Sequence, residues 1–321
     1  VDEGDVGAVA REVSAGVGGV ILFGDDATAG LAAALRSLRD DAPVGVAPAV
    51  MVDEEGGAVQ RLAHLVGVLP SAREMGATLS PSGIEALGLR EGRRLAALGV
   101  TVDLAPVLDL DDGDGPNSRD PDGTRSFSVV PEKAAADGLA FAEGLEAGGV
   151  LPVFKHFPGL GDASGNTDVG PASTLPIADL RTGGLLPFAQ AIAHGARAIM
   201  VANASVPGLS LLPASISAAV VSGLLRHTLG FSGLVITDAL SAPSVTTGSR
   251  TIADAVVDAL AAGADMVLFT ADADAVAPTT AAITAAITAA VAHGVLTRAR
   301  IVTAAARVLR AKGELPRCPA G

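Results

Sequence analysis

Along the chain, short runs rich in Val, Ile and Leu alternate with longer Ala/Leu/Arg segments whose apolar residues recur every three or four positions. A short continuous apolar run reads as a strand buried on both faces, and the 3.6-residue period reads as an amphipathic helix. Strands are therefore predicted at 19–23, 49–52, 100–107, 150–154, 198–202, 234–237 and 266–269. Helices are predicted between them at 31–39, 81–98, 131–147, 185–194, 218–227 and 252–262, some opened by Ser or Pro near the first turn. Such alternation is the pattern of βα units around a parallel sheet. Seven strands are legible, and the stretch before Gly19 is already helix-like, so an eighth strand has room ahead of Val1. The expected fold is α/β, a (β/α)8 TIM-type barrel forming one domain over 1–321, its first strand lacking from the sequence shown if the barrel is complete. A doubly wound open sheet is the alternative, but no G-x-G-x-x-G follows the first strand.

A barrel of this kind carries its chemistry where strands end and βα loops begin. Polar side chains do gather there. Asp53, Glu54 and Glu55 follow one run, Asp109 another, Lys155 and His156 a third, Asn203 a fourth and Asp238 a fifth. Any one of them is equally what a chain shows where it turns polar or caps a helix. Five together point to a site.

Composition narrows the partners. With 22 basic and 35 acidic side chains the net charge is -13, which opposes binding to nucleic acid and to anionic membranes. Hydrophobic residues make up 49% and charged residues 18%, enough apolar material for a large core. There are eight Phe but no Trp or Tyr, so polar contacts must carry most of any ligand specificity. The single cysteine, Cys318, reads as an exposed tail thiol or as one half of a disulfide to a segment not shown. No metal and no cofactor are expected. No membrane-spanning run is expected either, because Asp265, Asp272 and Asp274 break the alanine-rich stretch from Ala261, and 277–292 reads as an outer barrel helix. The acidic loop 109–122 lacks EF-hand spacing and reads as a solvated loop carrying Arg125. His64, His194, His227 and His293 stand singly at helix ends or on loops. The Ala/Gly/Val/Arg-rich composition suggests a secreted or cell-envelope protein.

The strand-end words also form a series. MVDEEGGAVQR at 51–61, LAPVLD at 104–109, RSF at 125–127, KHFPG at 155–159 and VITDAL at 235–240 together resemble glycoside hydrolase family 3, in its β-N-acetylhexosaminidase branch. The resemblance covers nearly the whole chain in order. It implies a single-barrel retaining glycosidase acting on β-linked amino sugars, with Asp238 as nucleophile. It implies Asp53 as the carboxylate that accepts from two sugar hydroxyls, and Arg61, Arg125, Lys155 and His156 as donors to the sugar. Arg125 or Lys155 would then help to keep Asp238 ionised. Glu54 and Glu55 are expected as ion-pair partners at the barrel mouth, with Arg61 alternatively pairing with one of them. Lys155 has a second reading, as a Schiff-base lysine.

One loop departs from that pattern. The branch has Gly-His-Gly and then Asp-Ser-His after its KHFPG-like string, the histidine donating the proton to the leaving sugar. This chain has Leu160 for the first histidine and Asn166-Thr167-Asp168 for the dyad. Either Asp168 or Asp162 has become the general acid/base, or the chain is a saccharide-binding pseudoenzyme, or the chemistry has changed to transfer or phosphorolysis.

Overall fold

A computed structural model describes residues 1–313 apart from Glu3 and Gly45; Cys318 lies outside the described residues. Eight short strands run as β1 (Gly19–Ile21), β2 (Ala49–Val52), β3 (Val102–Asp103), β4 (Leu151–Pro152), β5 (Phe154–Phe157), β6 (Ala198–Val201), β7 (Leu234–Ala239) and β8 (Met266–Leu268). All their pairings are parallel, in two sheets ordered β1-β2-β3-β4 and β5-β6-β7-β8. Strands β4 and β5 belong to one run, interrupted at Val153, whose amide turns to the carbonyls of Asp103 and Ala105. The two sheets are thus one curved wall of the (β/α)8 barrel type, with seven of its staves legible as apolar runs in the sequence.

The wall curls because its inward residues pack on one another. Ile21, Met51, Val102, Leu104, Leu151, Val153, Met200, Leu234, Ile236 and Leu268 form a single buried cluster, the filled interior of a barrel. Outside it, the helices Pro81–Leu98 and Pro131–Ala147 lie main chain against main chain. A Cβ on Gly144 would stand 2.2 Å from the Glu85 carbonyl oxygen, and one on Gly88 2.4 Å from that of Phe141, so neither position accepts a side chain.

Among the described residues no ladder joins β1 to β8. A cavity of about 860 Å³ lies between them, lined by Gly19, Val20, Met266 and Leu268 and by Val276, Ile283 and Ile287 of the helix Ala273–Ala292. Val1 and Asp2 reach the end of this seam, Val1 giving its ammonium to the Ile21 carbonyl at 2.7 Å and Asp2 bridging Phe23 in parallel sense. The helix Ala273–Ala292 corrects one expectation. It is long and apolar enough to cross a membrane by length and composition, because Asp274 falls in its first turn while Asp265 and Asp272 precede it. Only Ile283 and Ala290 of its residues are buried.

Most expected elements stand within a residue or two of their predicted bounds. The segment expected as an α-helix at 218–227 is a π-helix, Ala219–Thr228. The helices Ala72–Thr78 and Arg298–Ala311 and the hairpin arms Ser205–Val206 and Ser210–Pro213 were not foreseen.

Candidate active site

The polar groups converge at the C-terminal ends of the strands. Lys155 and His156 lie within β5 rather than beyond it, since the strand resumes at Phe154 and runs to Phe157. Lys155 is 2% exposed, and its Nζ donates to Asp53 Oδ1 at 2.6 Å and lies 2.6 Å from Glu55 Oε1. Burial lowers its pKa, but the Asp53 and Glu55 carboxylates more than offset this and hold it above the ordinary lysine value. A Schiff-base lysine needs a neutral amine, and this environment opposes one.

Glu55 is the pivot of the cluster. Arg125, carried on a 3-10 turn at Gly123–Arg125, grips it with Nε at 2.7 Å and Nη2 at 2.8 Å, a bidentate pair. Burial pushes the Glu55 carboxyl up, and Arg125 and Lys155 together overcome it and hold the pKa far below the usual range. Glu54 breaks the expectation of a second mouth ion pair. The residues alternate sides in the strand Glu54–Gly56, so the Glu54 carboxylate turns away to the Leu62 amide and meets no cation within ion-pair distance among the described residues. Arg61 pairs with neither glutamate there; its guanidinium sits over the Phe23 ring, 5.5 Å from the centroid.

His156 is oriented from behind. Asp109, fully buried, accepts from the amides of His156 and Leu160 and from His156 Nδ1 at 2.7 Å, while His156 Nε2 faces Arg125 Nη2 at 3.4 Å. Burial, with Arg125 and Lys155 nearby, pushes the imidazole pKa down to about 4, so the ring is neutral at neutral pH. Asn203 braces the next strands, giving Nδ2 to the Ala239 carbonyl at 2.8 Å and accepting from Ser215 at 2.6 Å.

Asp238 stands at the end of β7, half-buried, with the Ala239 amide on its Oδ1 at 2.7 Å. Burial raises its pKa; after burial, His156 lowers it and Asp168 raises it. The expected lowering by cations is therefore outweighed: burial dominates, and Lys155 lowers the pKa only slightly. Asp168 is exposed in the altered loop and lies within electrostatic reach of Asp238. Asp162 sits at φ +55° among Asp111, Asp112 and Asp120, which raise its pKa after burial does. Leu160, at the family's histidine position, is buried against Ala202 and Ala204.

Two residues of this region had no signal in the sequence. Arg73 gathers the carbonyls of Asp111, Asp112, Gly113 and Gly123 at 2.7–3.1 Å, so a guanidinium organises the acidic loop that looked superficially like a calcium loop. Asp122 is wholly buried beside His156 and Arg125. Arg73 reaches carbonyls, and Asp122 meets His156, supplied by chain segments distant in sequence.

Comparison with known proteins fits this geometry. The model of the glycosyl hydrolase family 3 N terminal domain matches residues 8–311. "Beta-hexosaminidase LpqI" of Mycobacterium tuberculosis is 38% identical over 265 residues, covering 79% of this chain and 66% of that protein. A "Beta-hexosaminidase" of Xylella fastidiosa is 34% identical over 261 residues, covering 78% of this chain and 76% of that protein. Among solved structures, M. tuberculosis LpqI superposes with a TM-score of 0.88 at 34% identity, over 99% of this chain and 91% of that one. The Beta-N-acetylhexosaminidase of Beutenbergia cavernae gives 0.87 at 35% identity, over 98% and 95%.

Proposed function

The chain belongs to glycosyl hydrolase family 3, and from that premise we propose that it is a retaining β-N-acetylhexosaminidase acting on β-linked amino sugars. The observation that carries the reading is the placement of Asp238: at a strand end, within electrostatic reach of His156 and of the acidic Asp168. In this reading Asp238 attacks the anomeric carbon and displaces the leaving-group oxygen, which takes its proton from Asp168. Water then opens the glycosyl ester while Asp168 accepts a proton back. Asp53, Arg61, Arg125, Lys155 and His156 hold the sugar. Asp53 accepts from hydroxyls, and His156 is held by Asp109 in the tautomer that leaves Nε2 an acceptor.

Release of nitrophenol from para-nitrophenyl N-acetyl-β-glucosaminide tests the proposal. Asp238→Asn keeps the size of the group but cannot form the ester, so turnover is expected to fall by several orders of magnitude with the fold intact. Activity within about tenfold of wild type would overturn the assignment. Wild-type binding of N-acetylglucosamine without release from any glycoside would identify a saccharide-binding protein instead. Asp168→Asn should slow poor leaving groups far more than dinitrophenyl glycosides, and an equal loss on both would remove Asp168 as the acid.

A further inference from the structure

On the side of His156 away from Nε2, its Nδ1 faces two buried aspartates. Asp109 Oδ2 is 2.7 Å from Nδ1 and Asp122 Oδ1 is 4.0 Å from it, and the three side chains place ligand-type atoms within 4.8 Å of one another. All three residues are buried. Asp122 has 0% exposure, and neither of its carboxylate oxygens has a hydrogen-bond partner. Arg125 does not supply one. Its Nη1 is 3.6 Å from Asp122 and donates to the Pro121 carbonyl, and its Nε and Nη2 are committed to Glu55.

We propose that Asp109, Asp122 and His156 form a site for a divalent transition-metal ion, with Zn²⁺ the best-fitting occupant. Both Asp122 oxygens lack a hydrogen-bond partner, and an ion shared with Asp109 and His156 would supply the partner that the side chain lacks. The donor set is one imidazole nitrogen and two carboxylate oxygens. That set suits Zn²⁺, whereas Ca²⁺ asks for six or more oxygens and soft ions ask for sulfur. Bonds of about 2.0–2.2 Å in a tetrahedron set ligand atoms roughly 3.3 Å apart. The observed separations from Nδ1 of 2.7 and 4.0 Å bracket that value, so on binding Asp122 closes on the ion and Asp109 exchanges its hydrogen bond from Nδ1–H for a bond to the ion. Bound at Nδ1, the ion moves the ring proton to Nε2. The sugar-facing nitrogen of His156 then becomes a donor, where without metal it is an acceptor.

Metal content is the test, and no glycoside is needed, so its outcome is separate from that of the hydrolase reading. Chelator-stripped protein is equilibrated with Zn²⁺, passed through a desalting column and analysed by mass spectrometry for the metal. Calorimetric titration with Zn²⁺ and the visible absorption of the Co²⁺-loaded protein give independent readouts. One ion per chain is expected, with affinity falling at least roughly tenfold in Asp122→Asn and in His156→Gln. Asp112→Asn, in the loop held by Arg73, should bind as wild type does. Circular dichroism establishes that each variant is folded; should one variant fail, the other decides. Substoichiometric metal in wild type, or undiminished binding in both folded variants, would overturn the site.

Discussion

Glu54 and Glu55 are adjacent, chemically identical and both buried, yet they end in opposite electrostatic worlds. Glu55 enters the barrel mouth and is clasped by Arg125 and Lys155. Glu54 turns to the other side, where Asp103 and Glu91 are also wholly buried, and no cation lies within ion-pair distance of any of the three among the described residues. Burial pushes Glu54 up to about 7 and Glu91 up to about 8, with the Glu54 charge adding to the rise at Glu91, and it lifts Asp103 well above the usual carboxylate range. The lesson is that burial does not decide a carboxyl's charge. Its partners do, and one step along a strand exchanges ionised side chains for protonated ones.

The strongest way to break this contrast is to remove the paired member. Glu55→Ala leaves Lys155 and Arg125 buried with an unbalanced charge, and a loss of about 3–5 kcal/mol is expected in denaturant unfolding. A loss under about 1 kcal/mol would show that Asp53 and Asp122 suffice for the two cations.

Next in size is the dependence on pH. The folded pKa values of Glu54 and Glu91 lie above the unfolded value of 4.5, so the unfolded chain gives up these protons first as pH rises. Their contribution should therefore be most favourable below that value and fade as pH climbs to about 7 and about 8, on the order of 3 kcal/mol for Glu54 and 5 kcal/mol for Glu91, before levelling. Glu55 works the other way: its folded pKa is depressed, so its stabilisation is present above the unfolded value and is lost as pH falls toward the folded one. Unfolding free energy measured from mildly acidic to mildly alkaline pH should decline, and a rise across that interval would contradict the assignment.

The smallest effect sharpens the comparison most. Glu54→Gln keeps an oxygen for the Leu62 amide and removes only the titrating proton. At mildly acidic pH it should shift stability by less than about 1 kcal/mol, while flattening part of the decline between pH 5 and pH 7, about the interval over which Glu54 titrates. An unchanged slope would place the pH dependence in Asp103 and Glu91.

How far the sequence foresaw these regions follows from what each depends on. Strand runs such as 49–52 and 198–202, and helices such as 81–98, 131–147 and 252–262, rest on local period and were legible. So was the gathering of Asp53, Lys155, His156 and Asp238, because strand ends converge in any barrel. Which way Glu54 would face was not legible, since a short hairpin arm with two glutamates has no apolar alternation to set its register. Arg73 and Asp122 answer to carbonyls and side chains supplied by other segments, and nothing at their own positions announces it. The π-helix Ala219–Thr228 has ordinary helical composition, and nothing in that composition announces the wider turn.

The bare contact between Pro81–Leu98 and Pro131–Ala147 has a reach beyond packing. The first helix leads into β3 and the second joins β3 to β4, so their separation acts as a calliper on the two strands beyond which Asp109 and Lys155 are mounted. Gly88 and Gly144 are its jaws. Widening it by even one methyl group against the opposing carbonyls would splay the mouth from outside, misaligning charged groups that neither glycine touches. Here the tolerances of the chemistry are machined into the rim of the molecule, at residues with no side chain.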